Sequence, residues 1–201
     1  MVILDAGHGG MHAGRYLTPG KRWPEREHVL GQTFFEGMWN RWVVNRLIER
    51  LDRLGIPYVQ TSPGPDDCPI FERALFANLV YREHPGAWLL SVHANAGGGR
   101  GPEIFTSPGD TAADPIATTV MDHVSAVCGI GSVRSDWSDG DVDKETRFAI
   151  LTDTECPAVL LEVGFMDDAV FRGVAFTSVF LSGLTRRLVD AVVEVDETRA
   201  G

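Results

Sequence analysis

Apolar positions in this chain fall into two alternating patterns, short unbroken runs and longer stretches spaced by three and four. Val2-Ile3-Leu4, Trp88-Leu89-Leu90-Ser91-Val92 and Ala158-Val159-Leu160-Leu161 have the length and composition of strands buried on both faces. From Glu36 onward, Trp39, Val43, Val44, Leu47, Leu51 and Leu54 recur at helical spacing and Gly55 supplies a stop, which predicts a helix over 36–54. A second amphipathic helix is expected over 70–83, with Phe71, Ala74, Leu75, Asn78 and Leu79 on one side. A third is expected over 111–128 and a closing one over 171–193, with shorter strands over 56–60, 103–106 and 148–151. Strands alternating with helices at these distances predict a mostly parallel central sheet covered on both faces, a three-layer α/β/α fold forming a single domain over 1–201.

Polar stretches rich in Gly, Pro and charge occupy 9–35, 62–69, 97–101 and 129–146. The first shows no sustained period, and loops of that length in a compact domain are commonly functional. It starts beside the first strand end and is expected to form a rim over a substrate groove. The chain carries no internal repeat, low-complexity tract or linker.

Composition narrows the partners. With 18 Lys and Arg against 28 Asp and Glu, the formal net charge is −10, which argues against a nucleic-acid backbone as partner. No apolar run is long enough to span a bilayer, so no membrane insertion is expected. Strand-like sequence begins at Val2, where a secretory leader would place a basic segment and an apolar core, so no Sec signal is expected in this sequence. Cys68, Cys128 and Cys156 are odd in number and lack CxxC spacing. They suit neither a disulfide framework nor a cysteine zinc site, and are expected to be small buried thiols.

Each of the three apolar runs delivers one chemically capable side chain near its end: His8, His93 and Glu162. The carboxyl ends of strands in an open α/β sheet are where ligands gather. Two imidazoles with carboxylates form the donor set of a catalytic zinc site, in which three protein ligands leave a position for water. A further carboxylate then takes the water's proton and returns it to the leaving amine. The three residues converge only if their strands are neighbours, which the linear sequence does not specify. Glu36 opens the first helix, where the helix dipole alone favours a carboxylate by a few tenths to about 1 kcal/mol. There is no HExxH helix, GxSxG elbow or P-loop. Cys156 precedes Pro157 beside an apolar run, a buried setting and not an activating one.

Leu4-Asp5-Ala6-Gly7-His8-Gly9-Gly10, Ser91-Val92-His93-Ala94-Asn95-Ala96 and the run from Pro157 to Phe165 resemble the signature blocks of the zinc-dependent N-acetylmuramoyl-L-alanine amidases of the Amidase_3 type, about LDxGHGG, SxHxNA and PAxLxExGF. The resemblance continues through Glu36, Asn40 and Leu54-Gly55, and through Arg73, Ala77 and Asn78, similar to the family's R-x-x-x-A-N stretch. It implies that His8, Glu36 and His93 bind one zinc per chain and that Glu162 is the catalytic acid/base. The implied substrate is peptidoglycan, cut at the amide between the lactyl group of N-acetylmuramic acid and L-alanine.

The chain departs from this pattern in places. The segment between His8 and Glu36 is longer than in typical members, which makes Glu25 and Glu27 rivals for the third ligand. Glu36 alone keeps the family's spacing to Asn40 and Gly55. Ser62 follows Thr61 where the family usually has Arg, a change expected to affect packing or a loop contact. Arg134, Asp136 and Trp137 are candidates for lining the groove. A monomeric phage endolysin, cytoplasmic until it reaches the wall, is the expected setting. The alternatives are an exported bacterial wall-remodelling amidase and a zinc peptidase or deacetylase acting on another amide. A non-catalytic wall-binding module is disfavoured because all four implied catalytic positions are occupied.

Overall fold

The long apolar runs form the middle of one sheet, and their period-two alternation feeds a core on each side. The computed structural model describes residues 1–23, 33–127, 130–138 and 140–200. In chain order it contains β1 (Val2–Ala6), β2 (Met11–His12), β3 (Arg15–Tyr16), β4 (Arg22–Trp23), β5 (Phe34–Phe35), α1 (Glu36–Leu54), β6 (Tyr58–Gln60), α2 (Ile70–Glu83), β7 (Trp88–Asn95) and β8 (Glu103–Thr106). There follow α3 (Asp114–Ser125), β9 (Lys144–Glu145), α4 (Ala149–Thr152), β10 (Ala158–Phe165), α5 (Ala169–Ala175) and α6 (Ser178–Ala200).

The main sheet has the order β6-β1-β7-β10-β8-β9. Strands β6, β1, β7 and β10 run parallel, β8 is antiparallel to β10, and β9 is parallel to β8. Val2, Leu4, Trp88, Leu90, Val92, Val159 and Leu161 join a larger core shared with α1, α3 and α6. The alternate positions Ile3, Leu89, Ala158 and Leu160 join a smaller core with Ala77 of α2 and Ile150 and Leu151 of α4. This is the expected three-layer arrangement, with a thinner layer on the α2/α4 side. No helix among the described residues is long and apolar enough to cross a membrane.

Several local expectations are corrected. The segment expected as a strand over 148–151 is the helical turn α4, with the Leu151 and Thr152 amides bonding the Phe148 carbonyl at 2.8 and 3.0 Å. Both edges of β10 are already taken by β7 and β8, so these residues have no neighbouring edge of β10 to join and pack Ile150 and Leu151 downward. The closing helix expected over 171–193 is two helices. Asp168 caps α5 by accepting from the Val170 and Phe171 amides, and Thr177 Oγ1 accepts from the Phe180 amide at 3.2 Å as α6 begins. The third helix is shorter than expected, Asp114–Ser125, and Cys128 lies outside the described residues. Within 9–35, β2 pairs with β3 and β4 with β5.

The face of α2 is also turned. Phe71, Leu75 and Leu79, expected inside, are 66%, 53% and 52% exposed, while Arg73, Ala74 and Ala77 are buried. Arg73 enters the core to meet buried Asp5 at 2.9 Å, and that pairing fixes the rotation of the helix. Leu75→Ser is therefore expected to change unfolding free energy by less than about 0.5 kcal/mol, whereas Leu47→Ala in α1 costs about 2–5 kcal/mol. Urea denaturation checks both, and comparable losses would contradict the outward orientation of Leu75.

Candidate active site

Parallel register brings the three strand ends together. Asp5 and Ala6 of β1 lie opposite Ser91 and Val92 of β7, and Glu162 of β10 lies opposite His93. The alternation that sends Ile3, Leu89 and Leu160 toward α2 and α4 also sends Asp5, Ser91, His93 and Glu162 to that face, where the layer is thin.

Past β1 the chain turns at Gly7, where a Cβ would fall 2.0 Å from His93 Cε1. Only glycine lets the imidazole pack against that backbone. His8 follows with φ of 64°, a left-handed conformation that a non-glycine residue holds only when its surroundings fix it. Those surroundings are two guanidinium groups on its carbonyl: Arg73 Nη2 donates at 3.0 Å, and Arg41 Nη1 donates in a short bond. Buried Asn40 donates to the Gly7 carbonyl at 3.0 Å.

Glu36 begins α1 with its side chain 3% exposed. The first turn of that helix takes its caps from the preceding segment. The Glu36 amide donates to the Lys21 carbonyl at 3.0 Å, and the Gly37 amide donates to the Tyr16 hydroxyl at 2.8 Å. Glu36 Oε1 lies 3.1 Å from both His8 Nε2 and His93 Nδ1. The two imidazoles meet edge to face with centroids 5.0 Å apart, and one donor atom from each of His8, Glu36 and His93 lies within 4.8 Å of the others. Glu25 and Glu27 fall outside the described residues.

A polar chain backs this cluster. The Ser91 hydroxyl donates to Asp5 Oδ2 at 2.6 Å and so presents a lone pair to His93 Nε2, 3.1 Å away. That assignment places the Nε2 proton toward Ser91, so that Nδ1 donates to Glu36 when the ring is protonated and offers it a lone pair when the ring is neutral. Burial opposes charge on Asp5, but Arg73, Ser91 and Thr61 outweigh it and hold the carboxyl below its usual range. Burial likewise opposes charge on Glu36, and the hydrogen bonds of His8 and His93 hold it well below the carboxylate range. At His93 burial disfavours the proton, while Glu36 and the charge of Glu162 outweigh that and raise the pKa.

Glu162 differs from the other carboxylates. Its Oε2 is buried and accepts no hydrogen bond from a described residue. Burial pushes its pKa up to about 8, with the charges of Glu36 and Glu103 adding and His93 opposing. It lines a cavity of about 460 Å³ with His8, His93, Ile70, Arg73 and Phe148, and a second hollow with Lys21, Glu36 and Asn95. Lys21, from the segment expected to form a rim, borders both; residues 24–32 of that segment lie outside the described residues.

Other sequence candidates fall elsewhere. Arg134 donates to Glu103 at 2.6 Å and sits over the Phe165 ring, Asp136 accepts from the Ser138 amide, and Trp137 is exposed. None of the three lines either cavity. Cys156 is buried as expected, its thiol pushed up to about 12 by that burial, whereas Cys68 is only partly buried and borders the larger cavity. Sequence reasoning gave no role to Asp5, Ser91 or Arg41. A carboxylate inside the apolar run at residues 2–6 was the available signal for Asp5. Arg41, on an otherwise ordinary helix, carried none.

The fold and site together define a three-layer α/β domain in which His8, Glu36 and His93 offer a donor set able to hold a metal ion. The chain belongs to the N-acetylmuramoyl-L-alanine amidase family (Amidase_3), whose model matches residues 2–181. No curated protein sequence matches it significantly. Among solved structures, it is similar to the N-acetylmuramyl-L-alanine amidase Ami1 from Mycobacterium smegmatis, with 22% identity, a TM-score of 0.75, and coverage of 98% of this chain and 96% of that one. An N-acetylmuramoyl-L-alanine amidase from Clostridium difficile 630 aligns at 21% identity and a TM-score of 0.74, covering 96% of this chain and 94% of that one. The catalytic domain of CwlV, an N-acetylmuramoyl-L-alanine amidase from Bacillus (Paenibacillus) polymyxa var. colistinus, aligns at 22% identity and a TM-score of 0.72, covering 96% of each chain. At these identities the likeness is one of fold.

Removing one member of a buried ion pair strands the other. Arg73→Ala, which leaves Asp5 buried without its cation, is expected to cost about 3–5 kcal/mol of stability by denaturant unfolding. A loss below 1 kcal/mol, on the order of an exposed pair, would contradict the supporting role given to Arg73.

Proposed function

We propose that this amidase is zinc-dependent, with His8, Glu36 and His93 holding one zinc ion per chain and Glu162 moving the protons. The observation that carries the reading is the cluster of two imidazoles and a carboxylate, with Glu36 Oε1 3.1 Å from both rings, set beside a buried Glu162 oxygen that has no partner among the described residues. Nitrogen and oxygen donors of this kind suit zinc, with three protein ligands leaving a position open. A zinc ion held there supplies Lewis acidity, polarising the scissile carbonyl and making water easier to deprotonate.

The chain's own residues supply the rest. Glu162 Oε2, on the strand position paired with His93, accepts a proton from the attacking water and passes it to the departing amine nitrogen of L-alanine. Burial, which raises its pKa, favours its holding the proton between these two transfers, and the charge of a bound zinc would favour the ionised form that first accepts it. Ser91 and Asp5 keep His93 Nδ1 turned toward Glu36, and Arg41 and Arg73 hold the backbone of His8. Ile70, Phe148 and Ile150 give the groove an apolar wall. The same cleavage serves wall lysis by an endolysin and wall remodelling by a bacterium.

Purified peptidoglycan digested with the zinc-loaded protein is expected to release stem peptides beginning with L-alanine, identified by mass spectrometry. Glu162→Gln is expected to retain about one zinc per chain and lose about 10²–10⁴-fold in rate. His93→Ala and Glu36→Ala are expected to lose the metal. Cuts between stem amino acids would favour a peptidase, and undiminished cleavage by chelator-treated protein would overturn the zinc reading.

A further inference from the structure

A second carboxylate cluster lies away from the active site, where the N-terminus of α3 meets the segment that leads into β9. Asp114, Asp141 and Asp143 each place an oxygen within 4.8 Å of the others. Asp143 is 2% exposed. Its Oδ2 accepts from the Thr106 hydroxyl, while its Oδ1 is buried with no hydrogen-bond partner among the described residues. Asp141 Oδ1 accepts the Asp143 amide at 3.3 Å. Asp114 accepts the amide and hydroxyl of Thr111 at 2.6 and 2.7 Å. Among the described residues no Lys, Arg or His forms an ion pair with any of the three; Lys144, next in the chain, is paired with Glu103 instead.

We infer that Asp114, Asp141 and Asp143 form a calcium site that ties the segment before β9 to the N-terminus of α3. Three carboxylates this close, one of them buried with an unsatisfied oxygen, need a cation or a shared proton. The donors are all hard oxygens, which select calcium or magnesium over zinc. Calcium is held mostly by protein oxygens such as carboxylates, whereas magnesium keeps several waters and takes one or two carboxylates, so three protein carboxylates favour calcium. Burial, a hydrogen bond shared with Asp141 and the neighbouring charges of Asp141 and Asp114 push the Asp143 pKa up to about 7 against the opposing bond from Thr106. The segment then continues through β9 to Phe148, Ala149 and Ile150, which wall the larger cavity. Calcium bound here would therefore anchor one side of the groove without touching the reacting atoms.

The test is a calcium chloride titration of protein first stripped with a calcium-selective chelator, followed by calorimetry and thermal unfolding. One calcium per chain is expected, with Kd at or below about 1 mM and Tm rising by about 2–10 °C at saturation. Asp141→Asn, at a partly exposed position, and Asp143→Asn are each expected to lose the binding heat, and Asp141→Asn to lose the Tm rise. His93→Ala keeps both, since the two clusters share no residue. No binding up to about 10 mM calcium, an undiminished response in Asp141→Asn, a response to magnesium alone, or loss of the response in His93→Ala would each overturn the assignment. A Tm rise in Asp143→Asn without any calcium response in the parent would assign the cluster to a shared proton instead.

Discussion

Arg73 and Asp5, both 3% exposed, meet in the interior at the end of β1, and the site is arranged around that contact. Besides Asp5, the Arg73 guanidinium holds the carbonyls of Ala6, His8 and Cys68. It thereby joins α2 to the turn that carries His8. Through Asp5 the same charge reaches the Ser91 hydroxyl and then the His93 ring. A buried cation cannot be relocated by sliding or rotating its helix without a large desolvation loss. That constraint is why α2 turns Arg73 inward while Phe71, Leu75 and Leu79 face out. It also links the orientation of His93 to this ion pair through Ser91, while the strained φ of His8 is held by Arg73 together with Arg41.

The central strands and the first helix were legible because their apolar positions carry a period over enough residues to be unambiguous. Strand order was not legible, since the pairing of β1 with β7 and of β7 with β10 joins residues far apart in the chain. It is that order which turns His8, His93 and Glu162 from three separate strand ends into one cluster. Short segments misled for the opposite reason. Phe148 to Leu151 contains too few residues to show any period, and with β7 and β8 beside β10 the segment forms the helical turn α4 instead. The break between α5 and α6 was available in the caps Asp168 and Thr177 and was masked by the apolar residues around them. A helical-wheel count gave α2 the wrong face because it weighs several exposed apolar residues above one buried charge. At the site, Glu36 could be named only through its resemblance to a family, because a carboxylate in the first turn of a helix has a sufficient reason in the dipole alone. The two reasons operate together here: Glu36 faces two imidazoles from a helix end that already favours its charge.

The long segment after Gly10 is more than a rim. Tyr16 and Lys21 satisfy the first amides of α1, and Thr18 links Gly9 to Asp67. Residues of this segment thus support the helix end that presents Glu36. The guanidinium of Arg41 reaches across from α1 to within 3.5 Å of the Ser62 hydroxyl and also holds the Gly64 and His8 carbonyls.

X-ray absorption at the zinc edge of the zinc-loaded protein tests the donor set most directly. The expected spectrum has two imidazole shells and a carboxylate oxygen at about 2.0–2.2 Å, with no sulfur. A sulfur scatterer near 2.3 Å, which would bring in a cysteine such as Cys68, or a spectrum lacking imidazole, would contradict the assignment of His8, Glu36 and His93.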